Sequence, residues 1–141
     1  MEDKAVLAID YGTRRVGIAK SDPMGILASP LVTLEVKSDR DALDAINSLI
    51  QEYNPRTIVI GYPLLQSGDK SAKCLEIDRF IEQLSRFYDG PIVRVDEADT
   101  SNEAASILRA QGRRPSRDKV RIDRVAAVLI LQRYLDEQRA R

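Results

Sequence analysis

The run Ala5-Val-Leu-Ala-Ile-Asp-Tyr-Gly-Thr-Arg-Arg-Val-Gly-Ile-Ala-Lys-Ser-Asp22 constrains the fold more than any other stretch of the chain. Ala5, Leu7 and Ile9 alternate with Val6, Ala8 and Asp10, the two-residue period of a strand, in a run apolar enough to be buried on both faces. Asp10 therefore shares a strand face with small apolar side chains, where an ionised carboxylate needs cations or hydrogen bonds around it. Gly12-Thr13 supplies a turn, and Arg15 to Lys20 reads as the returning strand of a hairpin. An Asp that merely opens a turn is the ordinary alternative for an isolated Asp-x-Gly, so the rest of the chain has to decide between the two.

The 141 residues, 43% of them hydrophobic, are enough for one sizeable core and too few for two ordinary domains, so residues 1–141 are expected to form a single domain. No histidine is present. That removes histidine-based acid–base catalysis, Ser-His-Asp and Cys-His nucleophiles, and histidine-ligated zinc. Cys74 is the one cysteine, which excludes an intramolecular disulfide and suits a reducing compartment. No apolar run approaches the ~20 residues of a membrane span, and the start lacks an apolar leader, so a cytoplasmic protein without a membrane partner is expected. The 22 basic and 22 acidic residues cancel overall. Between Arg109 and Arg124, however, seven basic residues face two acidic ones, a basic patch in a chain otherwise net acidic.

Beyond the hairpin, Ile26 to Val36 reads as a third strand, placed at an edge by Pro30. Asp39 is a candidate N-cap for a helix in which Leu43, Ile46, Leu49, Ile50 and Tyr53 recur at helical spacing up to Asn54-Pro55. Thr57 to Gly61 is a buried strand, and Ser71 to Tyr88 a second helix turning Leu75, Ile77, Phe80, Ile81, Leu84 and Phe87 inward. Pro91 to Glu97 is a fifth strand with Val93, Val95 and Glu97 on one face. Thr100-Ser-Asn-Glu103 has the spacing of a capping box for a helix ending at Gly112, a basic connection follows, and a last helix carries Ile122, Val125, Leu129 and Leu135 to about Asp136. Three strands joined by short turns, followed by alternating helices and strands, predict an α/β fold: a mixed five-stranded sheet of order 3-2-1-4-5 with helices on both faces.

On that layout Asp10 and Glu97 lie near carboxyl ends of strands, where open α/β sheets bind ligands. Asp123 is the third candidate, because Ala126 and Ala127 at i+3 and i+4 let its helix approach the sheet. Three carboxylates without histidine suit hard, oxygen-seeking cations, Mg²⁺ or Mn²⁺, which activate water and take phosphate oxygens as ligands. The ordinary alternatives are a strand-end surface residue for Glu97 and a helix-face acid paired with Lys119 or Arg124 for Asp123.

Asp10-x-Gly12-x-x-Arg15-x-Gly17, Ser21-Asp22, Ser29-Pro30-Leu31, Gly61-x-Pro63-Leu64, Asp96-Glu97 and Lys119-x-x-x-Asp123-x-x-Ala126-Ala127 together resemble the YqgF-type, Holliday-junction-resolvase-like family, in order and over nearly the full chain. The resemblance implies a ribonuclease-H-like fold and a metal-dependent nuclease, with Asp10, Glu97 and Asp123 as catalytic acids and metal ligands. It further implies maturation of the small-subunit ribosomal RNA precursor, or resolution of branched DNA, as the task of a monomer or homodimer. Arg15, Arg113, Arg114, Arg117 and Lys119 are the candidate nucleic-acid contacts. Two positions depart from the pattern: Ala98-Asp99 stands where members carry Arg and an apolar residue, and Leu65 where they carry Asn. Without that Arg, a non-catalytic nucleic-acid-binding module of the same fold is the second reading.

Overall fold

The computed structural model describes residues 4–97, 107, 110–112 and 119–140, with backbone alone for residues 119–124. Five strands, β1 (Val6–Asp10), β2 (Arg15–Ser21), β3 (Ala28–Glu35), β4 (Thr57–Tyr62) and β5 (Ile92–Asp96), form one sheet of order β3-β2-β1-β4-β5. β1 pairs antiparallel with β2 and parallel with β4, so the expected mixed sheet and its order are both found.

Helices α1 (Asp39–Tyr53) and α2 (Ala72–Leu84) cover one face and helix α3 (Lys119–Arg139) the other. Odd positions of β1 and even positions of β4, namely Leu7, Ile9, Ile58 and Ile60, pack with Ile46, Ile77, Phe80 and Leu84. Each side chain this deeply buried contributes about 1.5–3 kcal/mol. The opposite face presents Val6, Ala8, Ala19, Val59 and Val95 to Ala127, Ile130, Leu131 and Leu135 of α3. Alanines on both sides of this second interface let the helix lie close across β1, β2 and β3.

Three details differ from the sequence expectations. Ser38, not Asp39, caps α1: its hydroxyl accepts the Asp41 N–H at 3.2 Å, while Asp41 Oδ2 accepts the Lys37 N–H at 3.0 Å. Asp39 is the first helical residue, and its carboxylate accepts the Tyr11 hydroxyl at 2.6 Å, tying the end of β1 to the start of α1. Helix α2 stops at Leu84, and Leu75 and Phe87 are exposed because Cys74 occupies the inward position one turn before Ile77. In α3 the buried stripe is Ala126, Ala127, Ile130, Leu131 and Leu135, with Val125 and Leu129 at its margin. The helix expected to open at Thr100 falls mostly outside the described residues. At its far end the Gln111 N–H donates to Ile107 O at 3.2 Å and Gly112 has φ +76°, a helical turn and a left-handed stop where the sequence places them.

Candidate active site

The carboxyl end of β1 is central in the sheet, and Asp10 there follows Val6 and Ala8 on the face covered by α3. Ile9 pairs with Ile60, which sets Gly61 beside Asp10 on the neighbouring strand; Gly61 in turn pairs with Val95 of β5. Two residues beyond Val95 the chain delivers Glu97 to the same face, its N–H held by Tyr62 O at 3.3 Å. The Glu97 side chain folds back over Gly61 and meets Asp10 in a hydrogen bond between the two carboxyl groups.

Gly61 makes this meeting possible. A Cβ there would stand 2.8 Å from Glu97 Oε2 and 2.7 Å from Ile130 Cδ1, so neither side chain could keep its place beside one. Its φ is not in the left-handed region, so what requires glycine is the approach of Glu97 and α3, not backbone conformation. A glycine at the end of a buried β-branched run was the sequence signal for this close approach, though its role in seating Glu97 required the sheet register. Lys73, in the first turn of α2, was also missed; it is the cation nearest in effect to Glu97.

Burial raises the Glu97 pKa above the ordinary glutamate value; Lys73 and the hydrogen bond with Asp10 partly oppose the rise, and the Asp96 carboxylate adds to it. A hydrogen bond between two carboxyl groups requires a proton, so the pair meets comfortably only when one member is neutral or a cation joins them. The sign of the stability effect follows: a carboxyl whose folded pKa is raised favours the folded state below the ordinary glutamate range, and that contribution is lost as pH rises through the raised value. Glu97→Gln should therefore raise Tm of the metal-free protein at pH 7, and the gain should shrink towards pH 4. A gain independent of pH, read by thermal melts across that range in EDTA, would show that Glu97 is not the group responsible.

Asp123 belongs to α3, seven residues before Ile130 and four before Ala127; its side chain, like that of Lys119, lies outside the described residues. Arg113, Arg114 and Arg117 also lie outside them. Arg15 opens β2 and, with Arg14, Glu35, Val36 and Lys37, lines a cleft of about 590 Å³ beside the β1–β2 turn. Gly12 closes that turn, since a side chain there would strike the Arg15 carbonyl. Ser21 and Asp22 are structural: Ser21 Oγ accepts the Val6 N–H at 2.8 Å, and Asp22 Oδ1 accepts the Ile26 and Leu27 N–H groups at 2.7 and 2.8 Å, closing the β2–β3 turn.

A mixed sheet of this order, α3 across the hairpin half and acidic residues at the carboxyl ends of β1 and β5 define a ribonuclease-H-like protein of the resolvase type. Thermus thermophilus RuvC shares the fold at TM-score 0.56 and 13% identity, each chain covered to 96%. The fowlpox virus Holliday junction resolvase does so at TM-score 0.55 and 13% identity, over 94% of this chain and 99% of its own. The family model RuvX, Holliday junction resolvase, matches residues 4–137, and the chain belongs to that family. Among curated relatives, a Synechococcus elongatus protein named "Putative pre-16S rRNA nuclease" is 42% identical over 96% of this chain and 91% of its own length. A Roseiflexus protein of the same name is 39% identical over 98% of both chains.

Proposed function

We propose that this chain is a metal-dependent nuclease that hydrolyses phosphodiester bonds in structured nucleic acid, acting in the cytoplasm on the precursor of 16S ribosomal RNA. The observation that carries this reading is the meeting of the Asp10 and Glu97 carboxyl groups over Gly61, at the carboxyl edge of the sheet in a member of the RuvX family. The relatives' shared name supports the ribosomal substrate.

The donor set fits a hard divalent cation: both carboxyl groups offer oxygen alone, and burial makes the Glu97 charge costly until a cation offsets it. Asp10, Glu97 and Asp123 would hold Mg²⁺ or Mn²⁺, which when bound supplies an acidified water and offsets charge on the phosphoryl and leaving oxygens. The chain's own residues do the rest. Strand ends β1 and β5 fix the two carboxylates on one face, and Gly61 keeps the space beneath Glu97 open. Lys73 contributes positive charge beside Glu97 where an anionic phosphate would approach. Arg15, Arg113, Arg114, Arg117 and Lys119 are proposed to hold flanking phosphates, which positions the substrate without reading its sequence. In the reaction, a water oxygen forms the new bond to phosphorus while the bond to the leaving nucleoside oxygen breaks.

The test is incubation of the purified chain with a labelled precursor RNA spanning an end of 16S rRNA and with a four-way DNA junction, each in Mg²⁺, Mn²⁺ or EDTA. Cleavage of the RNA with metal and none in EDTA is expected. Cleavage of the junction alone would transfer the reading to branched DNA, the substrate in the family's description. Tight binding of both without cleavage in any metal would select the non-catalytic module that Ala98-Asp99 leaves open.

A further inference from the structure

On the face of the sheet opposite Glu97, but at the same end, two cations converge on one carboxylate. Asp78 of α2 accepts hydrogen bonds from Lys70 Nζ and Arg94 Nε, each at 3.1 Å, and Nη2 of the same guanidinium is ion-paired with it at 3.1 Å. The Tyr62 hydroxyl donates to the same carboxylate, 3.0 Å from each oxygen. Lys70 Nζ and the Arg94 guanidinium also sit over the Tyr62 ring, 5.9 and 5.5 Å from its centre.

The arrangement carries a surplus positive charge, and it points outward. The Asp78 side chain keeps 25% of its exposure, whereas Lys70 and Arg94 keep 59% and 44%. One carboxylate therefore orients two cations without neutralising both. Arg94 donates its Nε–H, one of five N–H donors, to Asp78, and the ammonium of Lys70 has three donors in all. A surface ion pair this exposed contributes little stability, so two of them on one acid are a weak device for holding the fold. As a preset pair of phosphate ligands they lose little side-chain freedom on binding.

Position identifies what the pair would meet. Tyr62 directly follows Gly61, the residue beneath the Glu97 carboxylate, and its carbonyl holds the Glu97 N–H. The backbone that carries Tyr62 is thus one strand residue, ~3.3 Å, from that of Gly61, while its side chain and the two cations stand on the other face of the same sheet edge. A nucleic-acid strand carries a phosphate every ~3.4 Å of helix axis, so a substrate that crosses the carboxyl edge of the sheet with one phosphate at Asp10 and Glu97 carries further phosphates towards the β4–β5 side, where Lys70 and Arg94 stand. Resting on the nuclease reading above, we infer that Lys70 and Arg94, oriented by Asp78 and Tyr62, form a subsite for the phosphodiester backbone of the substrate on the β4–β5 side of the centre.

Binding of the 16S precursor RNA and of the four-way junction, measured against salt in an Asp10→Asn background that does not cleave, tests this. Lys70→Gln with Arg94→Gln should lower the log–log salt slope by about 1.8 on duplex DNA and by roughly 1.4 if the contacted strand is single, two contacts at ~0.9 or ~0.7 each. Arg94→Lys should keep most of the slope, and Asp78→Asn should leave it intact or steepen it, since both cations then face the phosphates. If the double variant does not fold, Lys70→Gln alone should remove about half of the effect. An unchanged slope in folded Lys70→Gln and double variants, with lowered Tm for these and for Asp78→Asn alike, would overturn the subsite and make the cluster a tie between α2, β4 and β5. Separate cleavage assays on the otherwise unaltered chain keep the two readings apart: a lowered slope without metal-dependent cleavage would support the subsite and sink the nuclease.

Discussion

Asp10→Asn should abolish metal-dependent cleavage, a loss above about 100-fold, the upper range for substitution of residues that only support a metal ligand. Asn keeps the shape and hydrogen-bonding capacity of the side chain while removing the charge that a divalent cation needs from it. Binding of nucleic acid, which draws on cations elsewhere, should stay near its usual strength. In EDTA the same substitution should raise Tm. Burial already makes the Glu97 charge costly, and an amide at position 10 can donate to that carboxylate without a shared proton while removing a second negative charge from the site. Each 1 kcal/mol of like-charge repulsion relieved would move Tm of a chain this size by about 3 °C. Thermal melts in EDTA beside Mn²⁺-dependent cleavage measure both effects on one sample. Retained cleavage by pure mutant protein would remove Asp10 from the mechanism, and an unchanged or lowered Tm would show that its carboxylate serves the Gly12 turn.

Gly61→Ala separates the site from the scaffold in a different way. The added methyl would meet two side-chain tips, Glu97 Oε2 at 2.8 Å and Ile130 Cδ1 at 2.7 Å, and these do not yield equally. Ile130 is 1% exposed in the layer under α3, whereas Glu97 is partly exposed at the strand end, so the carboxylate moves first. Overpacking costs about 1–3 kcal/mol, and replacing a strand glycine with Ala returns roughly 0.5–1 kcal/mol, leaving a modest loss of stability. Activity should fall much further, more than about tenfold, because misplacement of a catalytic group by ~1 Å can cost 100-fold. A chain with near-normal Tm, normal binding and lost cleavage is the expected result. Cleavage at the usual rate would mean that Glu97 does not act from the position it occupies over Gly61.

Much of this protein is legible in short-range pattern. Alternation in β1, the tight turn at Gly12, Pro30 on an edge strand and the helix stop at Asn54 each follow from local sterics, and with short connections they dictate the order β3-β2-β1-β4-β5. The absence of histidine leaves the chemistry to carboxylates, Lys, Tyr, Ser or Thr. Asp10 was also visible early, because a carboxylate on the apolar face of a central strand violates the pattern around it.

Tertiary structure decided the rest, since spacing along one strand carries no information about its register against the next. Only the pairing of Ile9 with Ile60 and of Gly61 with Val95 puts Asp10, Gly61 and Glu97 on a single face, and only that meeting explains why a side chain at position 61 would displace Glu97. Local pattern misassigned Leu75 and Phe87 as core because helical spacing identifies a stripe without fixing its centre; the packing of Cys74, Ile77 and Phe80 against the sheet does that. The cluster of Tyr62, Lys70, Asp78 and Arg94 left no local signature at all. Its members come from two strands, a loop and a helix, and their chemistry exists only because the crossover from β4 to β5 through α2 folds them onto one another.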